Sequence, residues 1–147
     1  MRRLGLDIGE VRVGLALSDP TGRVATPLKV MDARSLAADP SALRTLVEEY
    51  GVEELVVGLP VGLSGEEGPQ AETVRRFAEK LSAAVGLPVT YQDERLSSAQ
   101  ARRSMREAGV NEKDGRGAVD MVAASILLQA YLDTRDAPAS DRGSSRD

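Results

Sequence analysis

Leu4-Gly5-Leu6-Asp7-Ile8-Gly9, with Arg12-Val13-Gly14-Leu15-Ala16-Leu17-Ser18-Asp19 close behind it, is the stretch that decides how this chain folds. Residues 3–8 are an apolar run that stops at Gly9-Glu10, a tight-turn pair, so they read as a strand; residues 11–18 alternate well enough for a second. Asp19-Pro20-Thr21-Gly22 ends that strand in a turn, because Pro fixes φ and Gly permits positive φ. Residues 23–30 supply a third strand, and the opening is an antiparallel meander. One residue does not fit a plain core strand. Asp7 plants a carboxylate in a buried run, and a buried charge is costly unless something pairs with it.

The pattern changes at Asp39-Pro40, where Asp is a good N-cap and Pro is favoured at the first helical position. That helix runs to about Tyr50 and stops at Gly51. Glu53-Glu54-Leu55-Val56-Val57-Gly58-Leu59-Pro60 is a buried strand between turn residues. Residues 61–69 form a Gly-rich loop, read either as a mobile flap near a substrate or as a simple connection. Gly62, Gly65 and Gly68 lack the GxxxxGK[ST] spacing of a P-loop. A long helix spans about Gln70 to Val85, with Val74, Phe77, Ala78 and Leu81 on one face, and Val89 to Glu94 is a fifth strand. Ser97 or Ser98 caps a helix ending near Gly109, and residues 110–117 are a polar loop. The last helix runs from about Ala118 to Asp133, with Val119, Val122, Ala123, Ile126, Leu127 and Ala130 on its apolar face. Residues 134–147 carry no core-forming residue and are expected to be a disordered tail behind one domain of residues 1–133. The class is α/β: a five-stranded mixed sheet, three antiparallel strands then two parallel, with helices on both faces and the first strand central.

Composition narrows the chemistry. The 147 residues contain no Cys and no His, which removes disulfides, thiolate zinc sites, Cys nucleophiles, the Ser-His-Asp triad and imidazole acid–base catalysis. Catalysis must rest on carboxylates, Lys or Arg, hydroxyls, backbone and bound metal. No apolar run approaches the ~20 residues that span a bilayer, and Met1-Arg2-Arg3-Leu4 runs directly into strand-like sequence. The expected location is cytoplasmic, without a membrane partner. Net charge is −4, but residues 95–117 hold six basic against three acidic side chains, leaving −7 for the remainder.

Asp7 has candidate companions. It lies near the carboxyl end of the first strand, and Asp93-Glu94 ends the fifth. Both ends fall on the sheet edge where open α/β sheets bind ligands. Asp93 and Glu94 point to opposite faces, so only one of them faces Asp7. Asp120, in the first turn of the last helix, reaches the same place if that helix crosses the sheet. Each acid alone has a bland alternative: a satisfied core carboxylate, an exposed strand end, a helix-dipole partner. Together they suit one or two hard cations, Mg²⁺ or Mn²⁺, and phosphodiester hydrolysis, for which two metals stand about 3.5–4 Å apart. Arg95, Arg102, Arg103 and Arg106, if not merely a solvated face, would grip phosphates without reading sequence. Arg12 joins them as a substrate-binding candidate, and Gly9 and Gly14 permit close approach of substrate.

These motifs resemble a known family. Leu4 to Gly9, Arg12 to Asp19, Val56-Val57-Gly58-Leu59-Pro60, Asp93-Glu94-Arg95-Leu96-Ser97 and Val119-Asp120-Met121-Val122-Ala123-Ala124-Ser125-Ile126-Leu127-Leu128-Gln129 together are similar to the YqgF/RuvX family, over residues 4 to about 132. The resemblance implies an RNase H-like fold. It implies a nuclease described both as a Holliday junction resolvase and as the enzyme that matures the 5′ end of 16S ribosomal RNA. It places the family's first catalytic Asp on Asp7 and its helical Asp on Asp120. Its strand-end acid falls on the Asp93-Glu94 pair, with Glu94 favoured and Asp93 the alternative. The partners it implies are nucleic acid, RNA before DNA, and pre-ribosomal particles; a resolvase would be a two-fold dimer, but with no obvious large apolar patch the chain is expected to be a monomer or weak homodimer.

Two other functions set the contrast. A non-catalytic nucleic-acid-binding regulator would gain nothing from carboxylates that repel phosphates. Asp7-Ile8-Gly9 is also similar to the phosphate-binding hairpin of actin-like ATPases and sugar kinases, but those folds need two such domains and a much longer chain.

Overall fold

The computed structural model describes residues 1–62, 64–94 and 112–135, residues 112–118 by their backbone alone. Five strands, β1 (Arg2–Ile8), β2 (Arg12–Ser18), β3 (Ala25–Asp32), β4 (Val52–Leu59) and β5 (Val89–Asp93), form one sheet in the order β3-β2-β1-β4-β5. β1 pairs antiparallel with β2, and β2 with β3; β1–β4 and β4–β5 are parallel. This is the expected mixed sheet, with β1 central. The first hairpin is closed by Gly9 N–H donating to Arg12 O at 2.9 Å, and the second by Gly22 N–H donating to Asp19 O at 2.9 Å. Gly22 sits at φ 78°, where a side chain would be strained. The Asp19 carboxylate accepts the Thr21 hydroxyl and the backbone N–H groups of Thr21, Arg23 and Val24. These bonds, the Thr21 hydroxyl foremost, hold its carboxyl well below the usual range. Edge strand β3 carries Pro27, which has no N–H to offer another chain, opposite a register shift at Leu15/Ala16.

Helices α1 (Ala33–Ala38), α2 (Ser41–Tyr50) and α3 (Pro69–Val85) cover one face. α1 was not expected from sequence. Its signal was Asp32, whose carboxylate caps the helix by accepting from Ser35 N–H at 2.9 Å. Gly51 and Gly86 end α2 and α3 in the left-handed conformation. Leu4, Leu6, Val13, Leu15, Leu55, Val57 and Leu59 face this layer, packing against Leu36, Leu43, Leu46, Val74, Ala78 and Leu81.

Among the described residues, the opposite face carries one helix, α4 (Glu112–Arg135). It starts several residues before the expected Ala118 and takes in most of the expected 110–117 loop. Gly115 and Gly117 cost a helix only about 1 kcal/mol each, and they do not stop it. It also extends past Asp133, into the first residues expected to form the tail. Its buried stripe is Ala123, Ala124, Leu127, Leu128 and Leu132. Val119, Val122 and Ala130, expected in the stripe, are only partly buried, and Ile126 faces outward at 38% exposure. The helix is rotated from the expected face because the strands beneath it present small residues, Gly5, Gly14, Ala16 and Gly58, and admit Ala124 and Leu128 closely. Gln129 fixes its register: its Oε1 accepts from Ala25 N–H and its Nε2 donates to Arg23 O, both at 2.8 Å. The expected helix of 97–109 and the residues beyond 135 lie outside the described residues. No described helix is long and apolar enough to cross a membrane.

A second polar group lies under the C-terminal half of α4. Buried Arg3 donates to Glu54 Oε1 at 2.6 Å and stacks on the Tyr131 ring, 5.6 Å from its centroid. The Thr90 hydroxyl also donates to Glu54. Burial alone would raise the Glu54 carboxyl, but Thr90 and Arg3 hold it below its ordinary value of 4.5. A carboxyl with a lowered native pKa contributes stability that is complete above 4.5 and lost as pH falls through the native value. Glu54→Gln is therefore expected to lower Tm at neutral pH. The gap from wild type should narrow as the pH falls below 4.5 and through the lowered native value, measured by thermal melts across pH. A gap independent of pH would contradict this.

Candidate active site

The pleat decides which side chains meet. Leu4 and Leu6 of β1 face the α1–α3 layer, while Gly5 lies under Leu128 of α4. Asp7 therefore faces α4, and it is 2% exposed. Its cross-strand partner is Gly14. A Cβ built on Gly14 would stand 2.1 Å from the carbonyl oxygen of Asp120 and 2.4 Å from its carbonyl carbon. The helix backbone at Asp120 thus rests directly on the residue beside Asp7.

The other flank of Asp7 is β4. Asp7 and Gly58 each stand one residue beyond the Leu6–Val57 pair. A Cβ on Gly58 would meet Leu127 Cδ2 at 2.9 Å and Glu94 Oε2 at 3.1 Å. Glu94 is accordingly on the α4 face, against the strand next to Asp7. Asp93 pairs with Leu59, whose side chain belongs to the opposite core, so Asp93 points the other way. Glycines on two neighbouring strands let the helix and the Glu94 side chain close in around Asp7.

Asp120 is held by Arg12, whose Nε donates to Asp120 Oδ2 at 2.6 Å. Two expectations change here. Asp120 is the ninth residue of its helix, not in the first turn, so the helix dipole, which acts within the first turn, does not account for it. The space above Gly14 is filled by Asp120 backbone, so Gly14 makes room for the helix and not for substrate. Gly9 stays exposed at the hairpin, where a Cβ would stand 3.0 Å from Arg12 O. Arg95, Arg102, Arg103 and Arg106 lie outside the described residues.

Among the described residues, no three acidic side chains close into a preformed metal-binding cluster. The donor set nevertheless fits a hard cation. Every donor is a carboxylate oxygen, the central one is buried, and a guanidinium already takes a cation's place on Asp120. Sequence reasoning missed the Arg12–Asp120 pair and the packing role of Gly5, Gly14 and Gly58. The signal for the latter was glycine recurring on one face of three strands.

Residues 1–134 match the family described as "RuvX: Holliday junction resolvase". The chain belongs to the RuvX family. A relative from Moorella thermoacetica, named "Putative pre-16S rRNA nuclease", is 53% identical over 133 residues, covering 90% of this chain and 95% of the relative. One of the same name from Anaeromyxobacter dehalogenans (strain 2CP-C) is 45% identical over 135 residues, covering 92% and 98%. Among solved structures, T. thermophilus RuvC in complex with a Holliday junction substrate superposes with a TM-score of 0.56 at 16% identity, covering 93% of this chain and 96% of RuvC. The fowlpox virus resolvase bound to Holliday junction DNA gives 0.52 at 13% identity, covering 92% and 99%. The fold of this RuvX-family chain is thus that of the RuvC-like resolvases, the RNase H-like architecture expected from the sequence motifs.

Proposed function

We propose that this chain is a metal-dependent nuclease that hydrolyses phosphodiester bonds in RNA, acting in 5′-end maturation of the 16S rRNA precursor. One observation carries the reading: Asp7, Glu94 and Asp120 come from three separate elements to one face and one end of the sheet, around glycines that leave them room. The names of the relatives at 53% and 45% identity support the choice of RNA. In this reading Asp7, Glu94 and Asp120 hold Mg²⁺ or Mn²⁺. Such an ion supplies a water of lowered pKa and offsets charge on the leaving oxygen. Arg95, Arg102, Arg103 and Arg106, which follow Glu94 in sequence, contact the phosphate backbone, and Gly9 lets it approach the hairpin. The nuclease domain spans residue 1 to the end of α4 at Arg135, two residues past the expected boundary at 133. The protein works in the cytoplasm on pre-ribosomal particles, as a monomer or weak homodimer.

The second reading is cleavage of four-way DNA junctions, favoured by the description of the matching family. Incubating the full chain with a 16S precursor 5′ leader, a single-stranded RNA and a four-way DNA junction, with Mg²⁺, Mn²⁺ or EDTA, separates the two. Metal-dependent cleavage of the leader is expected. Cleavage of the junction alone would transfer the assignment to DNA, and cleavage of nothing would overturn both.

The pleat makes a sharper demand. Glu94→Gln is expected to lower cleavage by about a hundredfold or more, since even outer partners of a metal cost about 10–100-fold. Asp93→Asn, on the far face, should stay within about twofold, as substitutions away from a site usually do. The reverse order would move the strand-end ligand to Asp93.

A further inference from the structure

Arg12 is a basic residue in an acidic site, and its position is fixed from several sides. Its carbonyl closes the β1–β2 hairpin by accepting from Gly9 N–H at 2.9 Å, and its backbone pairs with Asp32 on β3. From there its Nε reaches Asp120 Oδ2 at 2.6 Å, joining residues 108 apart in sequence. The two side chains are 32% and 18% exposed, so the pair is only partly open to water. Asp120 cannot easily retreat from Asp7, because its own carbonyl rests on Gly14, the strand partner of Asp7. The guanidinium offsets negative charge at the end of the sheet where Asp120, Asp7 and Glu94 stand.

A divalent ion would do the same work for the same carboxylate. The Asp120 carboxylate that accepts Arg12 Nε–H at 2.6 Å is the group that would hold such an ion, so the two cations would compete for one charge. We propose that Arg12 is an internal counter-ion that occupies Asp120 in the metal-free chain and that a divalent ion displaces, so that Arg12 sets the metal affinity of the site. This rests on the reading of Asp120 as a metal ligand. Arg12 is then a positioning residue with two states. In the metal-free state it keeps Asp120 compensated and in place. In the metal-bound state its guanidinium, with five N–H donors, is released at the sheet edge where a phosphodiester would lie.

The test is calorimetric titration of Mn²⁺ into the full-length wild type and the Arg12→Gln, Arg12→Lys and Asp120→Asn variants. Arg12→Gln is expected to bind Mn²⁺ about tenfold more tightly, the scale of one hydrogen bond to a charged group. Arg12→Lys should fall between it and wild type. Unchanged or weaker binding by Arg12→Gln would overturn the proposal. The metal reading is judged separately. Wild type that binds Mn²⁺ while Asp120→Asn loses it upholds that reading whatever Arg12→Gln does, and wild type that binds none refutes it. Should Arg12→Gln fail to fold, the Arg12 Nε–H resonance of wild type is followed during Mg²⁺ titration. A shift that tracks saturation supports displacement, and a resonance unmoved at saturation overturns it.

Discussion

Asp7→Asn is expected to abolish metal-dependent cleavage while leaving the fold intact. The substitution keeps the shape of the side chain and removes its charge. Asp7 is 2% exposed and lies between β2 and β4 on the α4 face, a space that the isosteric amide fills equally well. Thermal melts without metal should therefore still show one cooperative transition. Activity should fall by more than about a hundredfold, beyond what loss of an outer partner alone produces. Added Mn²⁺ should raise the Tm of wild type more than that of the variant. A variant that cleaves like wild type would remove Asp7 from the chemistry.

Gly14→Ala is expected to have the largest effect on the structure itself. The added methyl carbon would stand 2.1 Å from Asp120 O, 2.4 Å from Asp120 C and 3.0 Å from Met121 N. All three are backbone atoms of a helix, and they cannot turn aside as a side-chain tip can. Overpacking of this kind costs about 1–3 kcal/mol, occasionally more, and Gly14→Ala belongs at the upper end. Gly5→Ala should cost less. Its nearest contact is the Leu128 Cβ at 2.8 Å, with Ala124 O at 3.2 Å. Gly14→Ala that still folds should also lose cleavage, because the clash pushes Asp120 away from Asp7, and a displacement of about 1 Å can cost about a hundredfold. Urea melts of the three proteins, with cleavage of the same preparations, check both statements. Equal stability of Gly14→Ala and wild type would mean that α4 does not seat on Gly14.

The hairpin, the mixed sheet with β1 central and the buried position of Asp7 were legible in the sequence because strand periodicity and turn chemistry are local. The start of α4 was not. Gly115 and Gly117 look like loop residues, yet the helix continues through them. Its buried face was misplaced for a related reason: Ile126 looks like core, but the glycines of the sheet favour Ala124 and Leu128 beneath the helix. Which of Asp93 and Glu94 faces α4 depends on the facing of β5, which the Asp93–Leu59 pair supplies. No local pattern could have joined Arg12 to Asp120, because that pair exists only where the helix crosses β2.

The central claim is that Asp7, Glu94 and Asp120 form one cation site. It is tested most directly by anomalous diffraction from crystals of the full chain soaked in Mn²⁺. The expected result is an anomalous peak bonded to carboxylate oxygens of all three residues, with Arg12 moved off Asp120. A saturating soak that leaves this place empty, or puts the ion on other residues, would contradict the account.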